Sequence, residues 1–157
     1  MTWVVDTCVI LDILEGKTDF ARKSALAIRS KLDDELVIAP ITYVELAPAF
    51  NGNVAEQNDY LSRMWVRYDF KGNEDAVLAA HKAWYEHVMR KRAGEAKKRP
   101  IADVMIGAYA MEKGGLITRN EEDFRSLYPT LRILNPMKMD FRYTIHRSRE
   151  QEKIKIE

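Results

Sequence analysis

One cysteine, Cys8, stands in a chain of 157 residues. A single thiol excludes an internal disulfide framework and a multi-cysteine metal site. It fits a reducing compartment. No apolar run approaches the roughly 18 residues that cross a bilayer. No basic segment leads into an apolar one as a secretory leader would. The expected setting is therefore cytoplasmic, with no membrane partner. Excess charge is lacking too: the formal net charge is +1. Nucleic-acid binding must then come from local clusters rather than the global field. Repeats, low-complexity tracts and Gly/Ser linkers are also absent. What remains is 46% hydrophobic and 31% charged, the composition of one globular domain with its own core.

The chain alternates short apolar runs with amphipathic ones. TWVVD reads as a strand. Residues 18–32 read as a helix with Phe20, Ala21, Ser24, Ala25, Ile28 and Leu32 on one side. ELVIAP is a second strand, ended by Pro40. A helix is expected from Thr42, with Pro48 ending or kinking it. Residues 54–67 read as helix and Tyr68–Phe70 as strand. Asn73 is a good cap for a long helix over 73–92, with Val77, His81, Trp84 and Val88 as its stripe. IADVMIGAYAMEKGG is a helix closed by glycines. LITRN is a strand, EEDFRSLYP a short helix and LRILNP a last strand. This alternation predicts an α/β fold with a mainly parallel sheet, covered on both faces.

Four acids fall where strands end or helices begin: Asp6, Glu45, Asp103 and Asp123. Each has a structural explanation. Asp6 can cap a helix starting near Thr7. Thr42 and Glu45 have capping-box spacing. Asp103 and Asp123 suit the first turns of helices. Together they suggest something else. Ligands of an open parallel sheet bind beyond the carboxyl ends of its strands, and chain direction brings Asp6, Glu45 and Asp123 to that edge. Asp103, at a helix N-terminus, can join them. Clustered carboxylates repel and raise one another's pKa. A hard divalent cation, Mg²⁺ or Mn²⁺, resolves the conflict with oxygen ligands and can activate water against a phosphodiester. Thr7 and Thr118 place hydroxyls beside the acids.

The stretches VVDTCVILDIL, APITYVELAPAF, RPIADVMIGAYAMEKGGLITRNEEDF and LRILNP, in that order, resemble the PIN domain of VapC-type ribonuclease toxins from toxin–antitoxin pairs. The resemblance spans about residues 1–136. It implies a three-layer α/β/α sandwich and a Mg²⁺- or Mn²⁺-dependent endoribonuclease. A homodimer and a small cognate antitoxin are implied as partners. Carried onto this chain, it makes Asp6, Glu45, Asp103 and Asp123 catalytic, with Asp6, Asp103 and Asp123 on the metal. The family pattern T-x-N/D-x-x-D-F falls on Thr118, Asn120, Asp123 and Phe124, so Asn120 joins Thr7 and Thr118 as accessory. Glu121 and Glu122 are expected to be solvated, and Asp12 structural. Residues 137–157 extend beyond the pattern as an edge strand, a partner arm or a disordered tail.

Lys97, Lys98 and Arg99 close a basic run over 90–99, just before the Asp103 helix, and are candidates for RNA phosphates. Arg119, beside Asn120, is a candidate for a phosphate or an antitoxin carboxylate. Trp3, Trp65 and Trp84 are expected in the core. His81 is expected in or near it, with His87 and His146 at the surface. Cys8 is expected as a small buried hydrophobe. Two other functions remain open. A Mg²⁺-dependent phosphatase would use Asp6 as nucleophile and commonly carries an acid at position 8, where this chain has Cys8. A non-catalytic PIN-like module would bind RNA or protein without cutting.

Overall fold

The computed structural model describes residues 1–16, 19–69, 76, 81, 83, 86–87, 89–95 and 101–140. Five short parallel strands form one sheet: β1 (Thr2–Val5), β2 (Glu35–Ile38), β3 (Val66–Tyr68), β4 (Leu116–Ile117) and β5 (Ile133–Leu134). Their order is β3-β2-β1-β4-β5, and every pairing is parallel. From β1 the chain winds outward to β2 and β3 on one side, then returns to add β4 and β5 on the other. The winding reverses between β1 and β4, and that is where an open parallel sheet forms its crevice.

The central strands β1, β2 and β4 are largely buried on both faces, and the period-two alternation of side chains sorts them into two cores. Trp3 and Val5 of β1, Leu36 and Ile38 of β2 and Ile117 of β4 face one core. Val4, Val37 and Leu116 face the other. Helices α1 (Thr7–Glu15), α2 (Asp19–Arg29) and α4 (Val54–Arg63) cover the first core through Val9, Ile10, Ile28 and Leu61. Helices α5 (Ile101–Lys113) and α6 (Glu121–Leu127) cover the second through Val104, Ile106, Ala110 and Phe124. The result is an α/β/α sandwich, as expected from the sequence.

Local chemistry sets the boundaries. Gly16, with φ 64°, ends α1 in the left-handed conformation and donates its N–H to the Asp12 carbonyl. A short helix α3 (Pro40–Glu45) begins two residues earlier than expected. Its first residue is Pro40, whose missing N–H costs nothing in the first turn. Thr42 thus lies inside the helix and no capping box forms. Pro48 sits in a separate 3₁₀ turn, Ala47–Phe50. The helix expected over 54–67 stops at Arg63, and β3 starts at Val66 rather than Tyr68. Trp65 forces this break with φ 58°, a backbone conformation that is uncommon for a bulky side chain. It is 76% exposed, so the expectation of a core tryptophan fails there while Trp3, at 3%, meets it.

The two described histidines exchange their expected places: His87 is buried and His81 exposed. Of the expected 73–92 stripe, only His81 falls among the described residues. Phe20 and Leu32 of the expected α2 stripe are exposed, and Ser24, Ala27 and Ile28 form the buried face. Trp84, Val77, Val88, Lys97, Lys98, Arg99, His146 and the segment 141–157 lie outside the described residues. A 3₁₀ turn, Pro136–Lys138, packs against α2. No helix among the described residues is long and apolar enough to cross a membrane.

Candidate active site and metal centre

β1 ends at Val5, and Asp6 is the next residue. It occupies the N-cap position of α1, yet its side chain makes no capping hydrogen bond. Its backbone N–H donates instead to the Ile117 carbonyl at 3.0 Å, extending the β1–β4 ladder into the crevice. The carboxylate is thereby aimed at the residues that follow β4. The Thr118 hydroxyl donates to Asp6 Oδ2 at 2.7 Å. The same hydroxyl accepts the Asn120 N–H at 3.0 Å. One donor and one acceptor interaction fix its rotor. The Cys8 thiol donates to the same Oδ2 at 3.1 Å. Capping is therefore not the role of Asp6, whose side chain is spent on the crevice.

Asp6 is 4% exposed and Thr118 is fully buried. Burial pushes the Asp6 carboxyl above its ordinary value. Thr118, Cys8, the Thr7 backbone and the charge of Arg119 pull it partly back. Cys8 is pushed up to about 12, by burial first and by the neighbouring Asp6 charge second. Its thiol thus stays protonated and serves as a donor, which corrects the view of it as a bare hydrophobe.

Glu45 is the last residue of α3 and is exposed. The Thr7 hydroxyl donates to its Oε2 at 2.5 Å, the short range of charge-assisted O–H···O⁻ bonds. Thr7 directly follows Asp6, so one dipeptide holds two of the expected acids. Asp103 and Asp123 are half-buried in the first turns of α5 and α6. Asn120 is the exposed N-cap residue of α6 and makes no side-chain cap there. Among the described residues, no three His, Cys, Asp or Glu side chains converge into a group placed to hold a metal ion. The structure thus joins Asp6 to Thr118, Asn120 and Cys8, and Glu45 to Thr7. It does not draw the four acids into one tight cluster.

Metal fit is tested by the chemistry of the donor set. The acids and threonines named above offer carboxylate and hydroxyl oxygens, and the Cys8 sulfur beside Asp6 keeps its proton. Such a set suits Mg²⁺ or Mn²⁺ and disfavours soft metals. The donor chemistry at Asp6 fits a hard cation, while Asp103 and Asp123 do not join Asp6 in a group placed to hold one among the described residues.

Two features escaped the sequence. Asp12, 7% exposed, accepts the Ser24 hydroxyl at 2.9 Å and lies 3.1 Å from Arg119 Nε. That N–H is not directed at the carboxylate, so the contact is ionic rather than a linear hydrogen bond. The Arg119 guanidinium also lies 4.9 Å over the Phe20 ring. Glu121 is not a solvated acid. Lys138 and Arg125 each reach it at 2.8 Å and Asn135 at 3.3 Å. A signal for the first feature was present in the chain: Asp12 interrupts an otherwise apolar helix face, and a buried charge requires a partner.

A doubly wound α/β protein with a buried carboxylate at its switch point is the class that fold and site define. The sequence profile of the PIN domain matches residues 3–128. The chain belongs to the PIN domain family. No curated protein sequence matches it. Solved structures share its fold. The VapBC-1 structure from nontypeable Haemophilus influenzae is 23% identical with a TM-score of 0.64, covering 88% of this chain and 100% of that one. FitAcB from Neisseria gonorrhoeae is 18% identical with a TM-score of 0.62, covering 87% and 99%. VapBC2 from Rickettsia felis, bound to a promoter DNA fragment, is 16% identical with a TM-score of 0.60, covering 86% and 98%.

Proposed function

We propose that this chain is a Mg²⁺- or Mn²⁺-dependent endoribonuclease and the toxin of a toxin–antitoxin pair, acting in the cytoplasm. The observation that carries the reading is the Thr118–Asp6 hydrogen bond at the switch point of a PIN-family sheet. Asp6, Asp103 and Asp123 would hold the cation, with Thr118 fixing the direction of the Asp6 carboxylate. A cation bound there would supply positive charge against the phosphodiester and acidify water. Glu45, exposed and oriented by Thr7, is the acid assigned to accept a proton. Lys97, Lys98 and Arg99 engage RNA phosphates ahead of α5. The likeness to VapBC-1 and FitAcB supports an antitoxin partner, and a homodimer is part of the same proposal. We assign the nuclease to residues 1–136 and an extension to 137–157, whose first residues pack back onto the fold through Lys138 and Met139.

A second reading has one observation in its favour. Among the described residues the acids do not converge as a metal group, as a non-catalytic module would have it. Purified full chain, incubated with RNA in Mg²⁺, Mn²⁺ or EDTA, separates the two. Cutting in metal alone, reduced on the order of a hundredfold or more in Asp6→Asn and in Asp103→Asn, is the expected result. Intact RNA in every lane, with no Mn²⁺ bound by the wild type, supports the module.

A further inference from the structure

Arg119 is one residue from the hydroxyl that binds Asp6, and its positive charge already acts on that carboxylate. Its side chain is long, flexible and 35% exposed. A guanidinium is a strong carboxylate partner with a fork geometry that suits two oxygens. Left to itself, Arg119 would close on Asp6 and stand where a cation is needed. In the structure its guanidinium is engaged by other partners. Asp12 Oδ2 lies 3.1 Å from Nε, and Phe20 lies under the guanidinium. Asp12 is itself fixed by the Ser24 hydroxyl at 2.9 Å and is almost fully buried. An ionised group in that position is sustained only by a partner.

We propose that Asp12 is a positioning residue: it tethers the Arg119 guanidinium to α1 and thereby keeps the Asp6 carboxylate open to an external divalent cation. The inference rests on the metal-site reading given above. Three elements build the tether. α1 carries Asp12 as well as Cys8, which bonds Asp6. α2 carries Ser24 and Phe20. The segment after β4 carries Thr118 and Arg119. Asp12 therefore acts on the site through Arg119 and touches no ligand itself.

Mn²⁺ binding by the full chain, followed by calorimetry, tests this in wild type, Asp12→Asn, Arg119→Ala and the double variant. Thermal unfolding of each, without metal, checks that it is folded. Asp12→Asn keeps the volume and the Ser24 contact but frees Arg119. Its Mn²⁺ affinity is expected to fall about tenfold or more. Removing the freed arginine in the double variant is expected to restore affinity to within about threefold of Arg119→Ala. A merely structural role for Asp12 would not be rescued that way. An Asp12→Asn protein that binds Mn²⁺ like wild type overturns the tether. So does a double variant as weak as Asp12→Asn. If folded wild type takes up no Mn²⁺ at all, the metal reading itself fails and the tether falls with it. The two failures are thus told apart by the wild-type titration alone.

Discussion

At the scale of the residue, Thr118 is the position on which most depends. Its hydroxyl donates to Asp6 and accepts from Asn120 N–H, so Thr118→Val removes two hydrogen bonds at once and leaves Cys8 as the remaining side-chain donor to Asp6 Oδ2. An unsatisfied buried group costs about 1–3 kcal/mol. The variant is expected to lose about that much in urea unfolding and to cut RNA more slowly, while Thr118→Ser stays near wild type in both. Asp6 should behave the opposite way in stability. Its carboxyl is raised because burial disfavours the charged form. Ionisation therefore opposes folding above the ordinary carboxylate range, and a neutral isostere relieves that cost. Asp6→Asn is expected to raise the thermal midpoint of the protein in EDTA at neutral pH by a few degrees, about 1 kcal/mol, while abolishing cleavage. A lower midpoint in the variant would contradict this account of the buried carboxylate. Of these residues Asp6, Thr118 and Asn120 were legible from the motif, because their spacing follows a strand end and a helix start. The Asp12–Arg119 pair was not legible as a pair, because its partners are far apart in sequence and meet only through the fold. The histidines show the same limit: which of His81 and His87 is buried depends on how the segment packs in the fold.

At the scale of the element, α5 is held by close contact rather than by helix propensity. Gly107 lies under Tyr128, and a Cβ there would stand 2.3 Å from Tyr128 Cε2. The ring cannot easily yield, since it is buried and its hydroxyl donates to the Val104 carbonyl at 2.6 Å. Alanine would ordinarily favour a helix by about 1 kcal/mol over glycine. Here overpacking wins, and Gly107→Ala is expected to destabilise by about 1–3 kcal/mol in chemical unfolding. The α6 end carries a pH dependence. Lys138, then Arg125, hold Glu121 at about 2, down from its ordinary 4.5. A depressed carboxylate adds stability that is complete above its unfolded pKa and vanishes as pH falls through the folded one. That contribution should fade between about 4.5 and about 2, and Glu121→Gln should flatten the stability curve in that window. Element type was legible wherever an apolar run met a cap or a glycine, as at the glycines that close α5. Boundaries failed where one residue adopted an unexpected backbone, as Trp65 does, or where proline began a helix instead of ending a strand.

At the scale of the whole molecule, the sheet order explains how Asp6 and the residues after β4 come to one crevice. Asp6 and Thr118 are over a hundred positions apart, yet adjacent strands β1 and β4 deliver them to within a hydrogen bond. Alternating apolar runs made the parallel sandwich legible. The strand order, which creates the crevice, is a consequence of handed crossovers and could be read only with the family pattern in hand. The central claim is that Asp6 and the further acids Asp103 and Asp123 share one hard cation. A crystal of the full chain grown with Mn²⁺ and measured for anomalous scattering tests it most directly. The account predicts a peak at about 2.0–2.2 Å from an Asp6 carboxylate oxygen, with Asp103 or Asp123 also in its coordination shell and waters completing it. A Mn²⁺-soaked crystal with no peak at Asp6, or with the ion held elsewhere, would contradict it.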